Sequence, residues 1–492
     1  MKRIERVLQI LILLSVIYYT QFYKLGSLTY RIWDEARLAT SAYEMSQTGN
    51  LIVPTFEGES DMWSTKPPLM IWTQAVLIRI HGITETAIRL PAAISGAFTC
   101  ILVFLFAIYL TKNRWIGVLS AVMLCTFNGY IGYHGVRTGD YDAMLTLFTT
   151  ASLVSIFLFC NHSSNSKRNW FLLLFFVSTS LGILTKSVAA LLFLPSVSIY
   201  LLFSGKTKEL FCSRYLHAGI FVFVMLVGGY YLIREYSNPG YFHAVYENEL
   251  GGRFLKTNEE HNESFFFYFD NFYLYRLKAW LWFFPAAAFF LFLNSSKLVN
   301  KAIRFSLLNI LAFLLIISSS KTKLPWYDLP VYPLIAVLLS LSVFIFLSWM
   351  SKKLPNINQS ILTCLICSLI TFYPFREMYN MIKWEDDYRT SLDEYAPAYY
   401  LRDMALNSNN FQNYIYFYDG YCPQFTIYVK RMNDLGAHIK LVSFSGNDSF
   451  AENSKVIAHH NATKQYIEAK YENEVYEEVK NVRVYVIKKA KS

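Results

Sequence analysis

Four stretches place cations, two of them with carboxylates, at the edges of long apolar runs: Trp33-Asp34-Glu35-Ala36-Arg37, Lys66-Pro67-Pro68, Arg137-Thr138-Gly139-Asp140-Tyr141-Asp142 and Lys321-Thr322-Lys323-Leu324-Pro325-Trp326-Tyr327. Lys186 closes another apolar run alone. An ionisable group at a membrane boundary needs a partner or a purpose. A fixed carboxylate there can take a hydroxyl proton or orient a nucleophile, and cations can neutralise charge on a departing phosphate. Each stretch also has a plainer reading. Asp34 suits a helix N-cap with Glu35 favourable to the dipole, and Lys66 an ordinary loop before a proline turn. Arg137, Asp140 and Asp142 suit a salt-bridged turn, and Lys186, Lys321 and Lys323 can snorkel to headgroups. Several cations on one side of a membrane, Arg37, Lys66 and Arg137 among them, are better explained by an anion to be held, and a phosphate at the membrane surface fits.

The elements that position these residues follow from composition. The chain of 492 residues is 54% hydrophobic and only 16% charged, which excludes an ordinary soluble enzyme. Apolar runs long enough to cross a bilayer occur near 7–23, 89–111, 115–134, 142–160, 170–186, 188–204, 216–234, 279–294, 303–320, 326–349 and 360–376, eleven in all. The net charge of +10 would suggest nucleic acid in a soluble chain, but here the basic residues lie between spans and no nucleic-acid partner is expected. With Lys2, Arg3 and Arg6 inside, every inner loop carries Lys or Arg, as the positive-inside rule requires. The first span lacks an A-x-A-like site and reads as a retained anchor.

This topology makes residues 1–380 a multispan core with outer loops at 24–88 and 235–278, and puts a tail domain, 381–492, outside with the chemistry. Interfacial helices are expected over 35–47 and 69–81, the second held by the paired prolines. The tail carries short strand-like runs at 413–418, 425–429, 438–442 and 482–487 separated by turn residues, which fits a small α/β domain. Of seven cysteines only Cys422 lies in that tail, so no disulfide framework is expected; Cys364 and Cys367 sit one turn apart in an apolar span and read as packing.

Acidic residues beside a basic cradle at the outer interface point to a transferase using a lipid-linked phosphate, with a polyprenyl-phosphate sugar as the activated donor. A flippase for such a lipid is the rival, although a transporter should place polar groups along a midplane path. A membrane-anchored binding protein would not need eleven spans.

At these residues the chain resembles GT-C membrane glycosyltransferases. Asp34-Glu35-Ala36-Arg37, Lys66-Pro67-Pro68-Leu69, Arg89-Leu90-Pro91, Asp142-Ala143-Met144-Leu145, Leu184-Thr185-Lys186 and Ser320-Lys321-Thr322-Lys323-Leu324-Pro325-Trp326-Tyr327 are similar, in order over about 30–335, to the motifs of the bacterial 4-amino-4-deoxy-L-arabinose lipid A transferases and the protein O-mannosyltransferases. The resemblance implies a polytopic α-helical core, a polyprenyl-phosphate sugar donor, and inverting transfer at the periplasmic face of a bacterial inner membrane. The acceptor is then a lipid, a glycan or a protein hydroxyl, with membrane lipid around the core. By position it implies Asp34 as base or acceptor-orienting carboxylate, with Glu35 beside it, and Asp142 as the second acidic residue. The resemblance puts Arg37, Lys66, Lys321 and Lys323 at the donor phosphate, and Arg137, Lys186 and Tyr327 add further contacts by their own residue types and places, with Asp140 and Arg89 in support. Thr65 stands where lipid A transferases often carry Glu, so a divalent metal is not supported there, and neither His243 nor His261 is assigned as a ligand. The metal requirement, the sugar and the acceptor stay open.

Overall fold

The computed structural model describes residues 2–255, 263–293, 295–353, 355, 358–407 and 413–491. Among the described residues, eight helices are long and apolar enough to cross a membrane: Arg3–Phe22, Glu85–Thr111, Tyr141–Asn161, Asn165–Leu191, Arg214–Ser237, Lys297–Ser319, Pro325–Lys353 and Gln359–Glu385. Each coincides with an expected span. The other three expected spans fall on shorter apolar helices, Arg114–Cys125, Leu194–Ser204 and Lys278–Leu291. The chain is a multi-pass membrane protein. In lipid every backbone polar group must be paired within its own segment, which is why these Leu- and Phe-rich runs are helical.

The chain divides into two compact units. The first comprises residues 1–23, 49–73 and 89–381, and the second residues 24–48, 74–88 and 382–492. In the first unit the spanning helices touch through small residues and sparse polar pairs, as expected where apolar surface gives no drive to associate. A Cβ on Gly117 would lie 2.9 Å from Phe104 and 2.8 Å from Ile108, so glycine is what lets helix Arg114–Cys125 approach helix Glu85–Thr111. Ser340 donates to the Ser120 hydroxyl at 3.0 Å, Ser196 to the Asn309 side-chain oxygen at 2.8 Å, and the Trp280 indole to the Thr126 hydroxyl at 3.1 Å. Each such bond contributes on the order of 0.6 kcal/mol in a membrane. A two-residue hairpin, β1 (Thr55–Phe56) with β2 (Glu59–Ser60), turns through Glu57 and Gly58 ahead of Lys66.

The second unit holds helix Asp34–Thr48, which buries Ala36, Leu38, Ala39, Ala42 and Met45, with Leu38, Ala42 and Met45 on one face. It also holds a five-stranded sheet of β3 (Tyr414–Tyr418), β4 (Lys440–Ser443), β5 (Lys455–Ala458), β6 (Tyr471–Val479) and β7 (Val482–Ala490). The order is β4-β3-β5-β7-β6, parallel where β3 meets β4 and β5 and antiparallel elsewhere. Ile415, Phe417, Val456, Ile467, Tyr485 and Ile487 form its core.

One strand expectation fails. Residues 425–429 lie in helix Pro423–Asp434, not in a strand. Phe425, Thr426, Ile427, Tyr428 and Val429 favour strands individually, but Pro423 starts a helix, and Phe425, Tyr428, Val429 and Met432 recur at helical spacing and are all buried. Tertiary burial overrides local propensity here. The strands β5 and β6 went unread because β5 is short and β6 carries Glu472, Glu474, Glu477 and Glu478.

Candidate active site

In the first unit, Lys66, Asp142, Lys186 and Tyr327 converge on one cavity of about 120 Å³, together with Glu249, Ser320 and Thr322. Its remaining walls are apolar, built by Leu145, Val188, Ala189, Leu192, Phe313, Ile316, Ile317 and Pro330. Local sequence explains each placement. Asp140 caps helix Tyr141–Asn161, its carboxylate accepting the Tyr141 amide at 2.7 Å, and this sets Asp142 in the first turn. Lys186 ends helix Asn165–Lys186, where Ser187 breaks the helix with a left-handed φ of 50°. Lys66 precedes two prolines and helix Leu69–His81, and the backbone beside it is tied down by the Tyr241 hydroxyl donating to the Thr65 carbonyl at 2.7 Å.

The cavity's charges stand in two lysine–carboxylate pairs. Lys186 Nζ lies 2.5 Å from Asp142 Oδ1, with side chains only 9% and 2% exposed, and the ammonium lies 5.2 Å from the Tyr327 ring centroid. Lys66 Nζ lies 3.6 Å from Glu249 Oε1 and 5.5 Å from the Tyr141 ring centroid. The first is a tight charge-assisted hydrogen bond. The second is an ion pair without hydrogen-bond distance, an open contact that an incoming anion can replace.

Glu249 is a residue that sequence reasoning missed. Its Oε1 also accepts from the Thr65 hydroxyl at 3.4 Å. A carboxylate absent from position 65 is thus supplied beside it by residue 249, from the later outer loop. An acidic residue just before Gly251-Gly252 in an aromatic-rich loop was the available signal, and it could not be linked to Lys66 without the fold. His134 was missed too. It pairs with Asp140 and stacks on Trp326, with ring centroids 3.6 Å apart and planes at 9°. Burial alone would raise the Asp140 carboxyl; the charge and hydrogen bond of His134 outweigh it and hold the group down at about 2.

Other expected residues lie elsewhere. The Arg137 guanidinium donates to the carbonyls of Thr20 at 3.2 Å and Tyr23 at 3.1 Å, at the end of the first span. The Lys323 ammonium donates to the carbonyls of Glu263 at 2.9 Å and Ser320 at 2.7 Å, and burial pulls it below the ordinary lysine range. Lys321 is exposed and Arg89 is buried. Asp34, Glu35 and Arg37 belong to the second unit. Asp34 is the exposed first residue of its helix, and Glu35, buried, accepts the Arg31 amide at 2.7 Å. His243 is 73% exposed beside Glu247, and His261 lies outside the described residues. The Asp142 and Glu249 carboxylates each face a lysine, so these charges of the cavity are paired.

Residues 65–231 match a family model described as dolichyl-phosphate-mannose-protein mannosyltransferase. An uncharacterised protein of Aquifex aeolicus is 28% identical over 68% of this chain and 63% of its own. An undecaprenyl phosphate-alpha-4-amino-4-deoxy-L-arabinose arabinosyl transferase of Aeromonas hydrophila is 26% identical over 70% of this chain and 63% of its own. The chain therefore spans about 63% of the length of these curated relatives. In fold, the crystal structure of ArnT from Cupriavidus metallidurans bound to undecaprenyl phosphate superposes with a TM-score of 0.70 at 15% identity, covering 98% of this chain and 97% of that one. The chain resembles the GT-C membrane glycosyltransferases, in its ordered motifs and in its fold alike.

Proposed function

We propose that the protein is a glycosyltransferase that moves a sugar from a polyprenyl-phosphate donor to an envelope acceptor. The reaction takes place at the outer face of a bacterial inner membrane, with inversion at the anomeric carbon. Residues 1–380 serve as the catalytic core and 381–492 as an outer domain. The observation that carries this reading is the cavity itself: two lysines lining a largely apolar chamber suit a headgroup phosphate attached to a hydrocarbon chain.

In this reading the donor phosphate enters between Lys66 and Lys186, displacing the Glu249 contact at Lys66, and Tyr327 flanks it. Arg37, Arg137, Lys321 and Lys323 add positive potential along the same outer face, and Arg89 and Asp140 support the motif backbone. The acceptor hydroxyl oxygen attacks the anomeric carbon while the bond from that carbon to the phosphate oxygen breaks. Asp34 takes or orients the hydroxyl proton with Glu35 fixing its helix, and the lysines stabilise the phosphate as it leaves. Asp142 holds the Lys186 ammonium in place. The acceptor is a lipid A or lipopolysaccharide group, another glycan, or a protein hydroxyl.

The test uses the purified chain with a polyprenyl-phosphate sugar and acceptor, and follows release of polyprenyl phosphate. Turnover is expected, and Asp34→Asn should reduce it by roughly 100-fold to 10,000-fold. Movement of intact donor across liposomes without cleavage would replace this reading with a flippase.

A further inference from the structure

The second unit carries a cluster of metal-ligating side chains that the proposed reaction does not use. Cys422, His459 and His460 each bring one ligand atom within 4.8 Å of the others. Cys422 follows β3 and begins helix Pro423–Asp434, while His459 and His460 follow β5 directly. These two strands are parallel neighbours, and the chain leaves β3 for β4 on one side before returning to β5 on the other. The cluster therefore occupies the crevice beyond the carboxyl ends of strands where the sheet order reverses, the place where open α/β sheets bind ligands.

The side chains are built in rather than solvated. Cys422 is 3% exposed and His459 7%. His459 Nδ1 lies 3.3 Å from the Tyr416 hydroxyl, while its Nε2 is buried with no hydrogen-bond partner among the described residues. An orphaned imidazole nitrogen in a packed site costs free energy unless something else binds it. His460 Nε2 faces the Cys422 sulfur at 4.0 Å, and its Nδ1 accepts the Asp419 amide at 3.2 Å.

We propose that Cys422, His459 and His460 form a binding site for a borderline-soft divalent cation, zinc in the first instance, with water completing a tetrahedron. One sulfur and two imidazole nitrogens are the donor set such ions prefer, whereas magnesium and calcium take oxygen ligands. At His459 the Tyr416 hydroxyl accepts the Nδ1 proton, which leaves Nε2 as the lone pair for the metal, the outer contact typical of ligating histidines. At His460 coordination through Nε2 shifts the ring proton to Nδ1 and gives up the Asp419 amide contact. The Cys422 thiol loses its proton to solvent, so one proton is released per ion bound. The ion would tie together two loops, one of which presents Tyr421, stacked at 5.1 Å on Trp33 immediately before Asp34.

The full-length protein in detergent, treated with EDTA and then titrated with Co²⁺ alone, tests this. We expect a near-ultraviolet thiolate-to-cobalt charge-transfer band with the visible bands of a tetrahedral ion, saturating at one equivalent and removed by Zn²⁺. Cys422→Ser should lose the charge-transfer band, and Cys212→Ser, in an exposed inner-loop residue, should keep it. Should Cys422→Ser misfold, alkylation of the wild-type protein decides instead: zinc loading should protect Cys422 relative to the EDTA-treated protein. Absence of a thiolate band in wild type, a band that persists in a folded Cys422→Ser variant, or equal Cys422 labelling with and without zinc would overturn the site.

Discussion

The two units each bury a charge cluster, and the clusters are built on opposite principles. In the second unit Glu85, 4% exposed, sits among two arginines and a tyrosine. Its Oε1 accepts from the Tyr428 hydroxyl at 2.8 Å and lies 3.1 Å from Arg402, and its Oε2 lies 3.5 Å from Arg431. Arg402 also donates to the Gly26 carbonyl at 2.8 Å, so the cluster spends its donors on protein acceptors and ties the segment 24–48 to the tail. In the first unit each cavity lysine faces a carboxylate, Lys186 at 2.5 Å from Asp142 and Lys66 at 3.6 Å from Glu249, and much of the surrounding wall is apolar. A charge cluster turned inward on protein groups holds a fold together; lysine–carboxylate pairs lining a largely apolar chamber suit a charged ligand with a hydrocarbon tail.

Substitutions separate the two designs, beginning with the largest expected effect. Asp142→Asn leaves the Lys186 ammonium buried without its counter-ion, which should destabilise the protein by about 3–5 kcal/mol and abolish transfer. The double variant Asp142→Leu, Lys186→Met should restore much of the melting temperature, because an apolar pair of similar volume is often as stable, while transfer stays lost. Recovery of transfer in the double variant would make the pair a structural tie like Glu85.

Glu85→Gln should have the reverse profile. Loss of its charged hydrogen bonds should cost about 1–3 kcal/mol in stability, with turnover of the folded fraction unchanged. A tenfold fall in kcat with an unshifted melting curve would erase the contrast.

A smaller effect is expected from the Asp140–His134 pair. The folded Asp140 carboxyl, at about 2, lies below its ordinary 3.8, so its contribution to stability is present above about pH 4 and disappears as pH falls towards 2. Melting curves in detergent should show wild type more stable than Asp140→Asn above pH 4, the two converging at lower pH. A gap of constant size across that range would mean that the carboxylate charge contributes nothing.

The spans were legible because about twenty consecutive apolar residues admit one solution in lipid. Helix Leu69–His81 was legible to its end residues, since Pro67-Pro68 and Gly82 punctuate it. Within the site, Lys66, Asp142, Lys186 and Tyr327 stood out among the candidate residues because charges beside apolar runs are conspicuous, and these four line one cavity. Glu249 and His134 were not, because pairing across 183 residues from Lys66, or through a ring stacked on Trp326, leaves no local pattern. Tail residues 425–429 misled for the opposite reason: their strand propensity was plain and the burial that overrides it was invisible.

The central claim is that the cavity lysines hold the donor phosphate, and equilibrium binding of polyprenyl phosphate, without sugar or acceptor, tests it most directly. Lys66→Ala should weaken binding by about 1.5–3 kcal/mol, roughly tenfold to more than a hundredfold in Kd, with little change in melting. Lys352→Ala, an exposed side chain outside the cavity, is the control and should change Kd by less than about threefold. Equal affinity of wild type and Lys66→Ala for polyprenyl phosphate would contradict the claim.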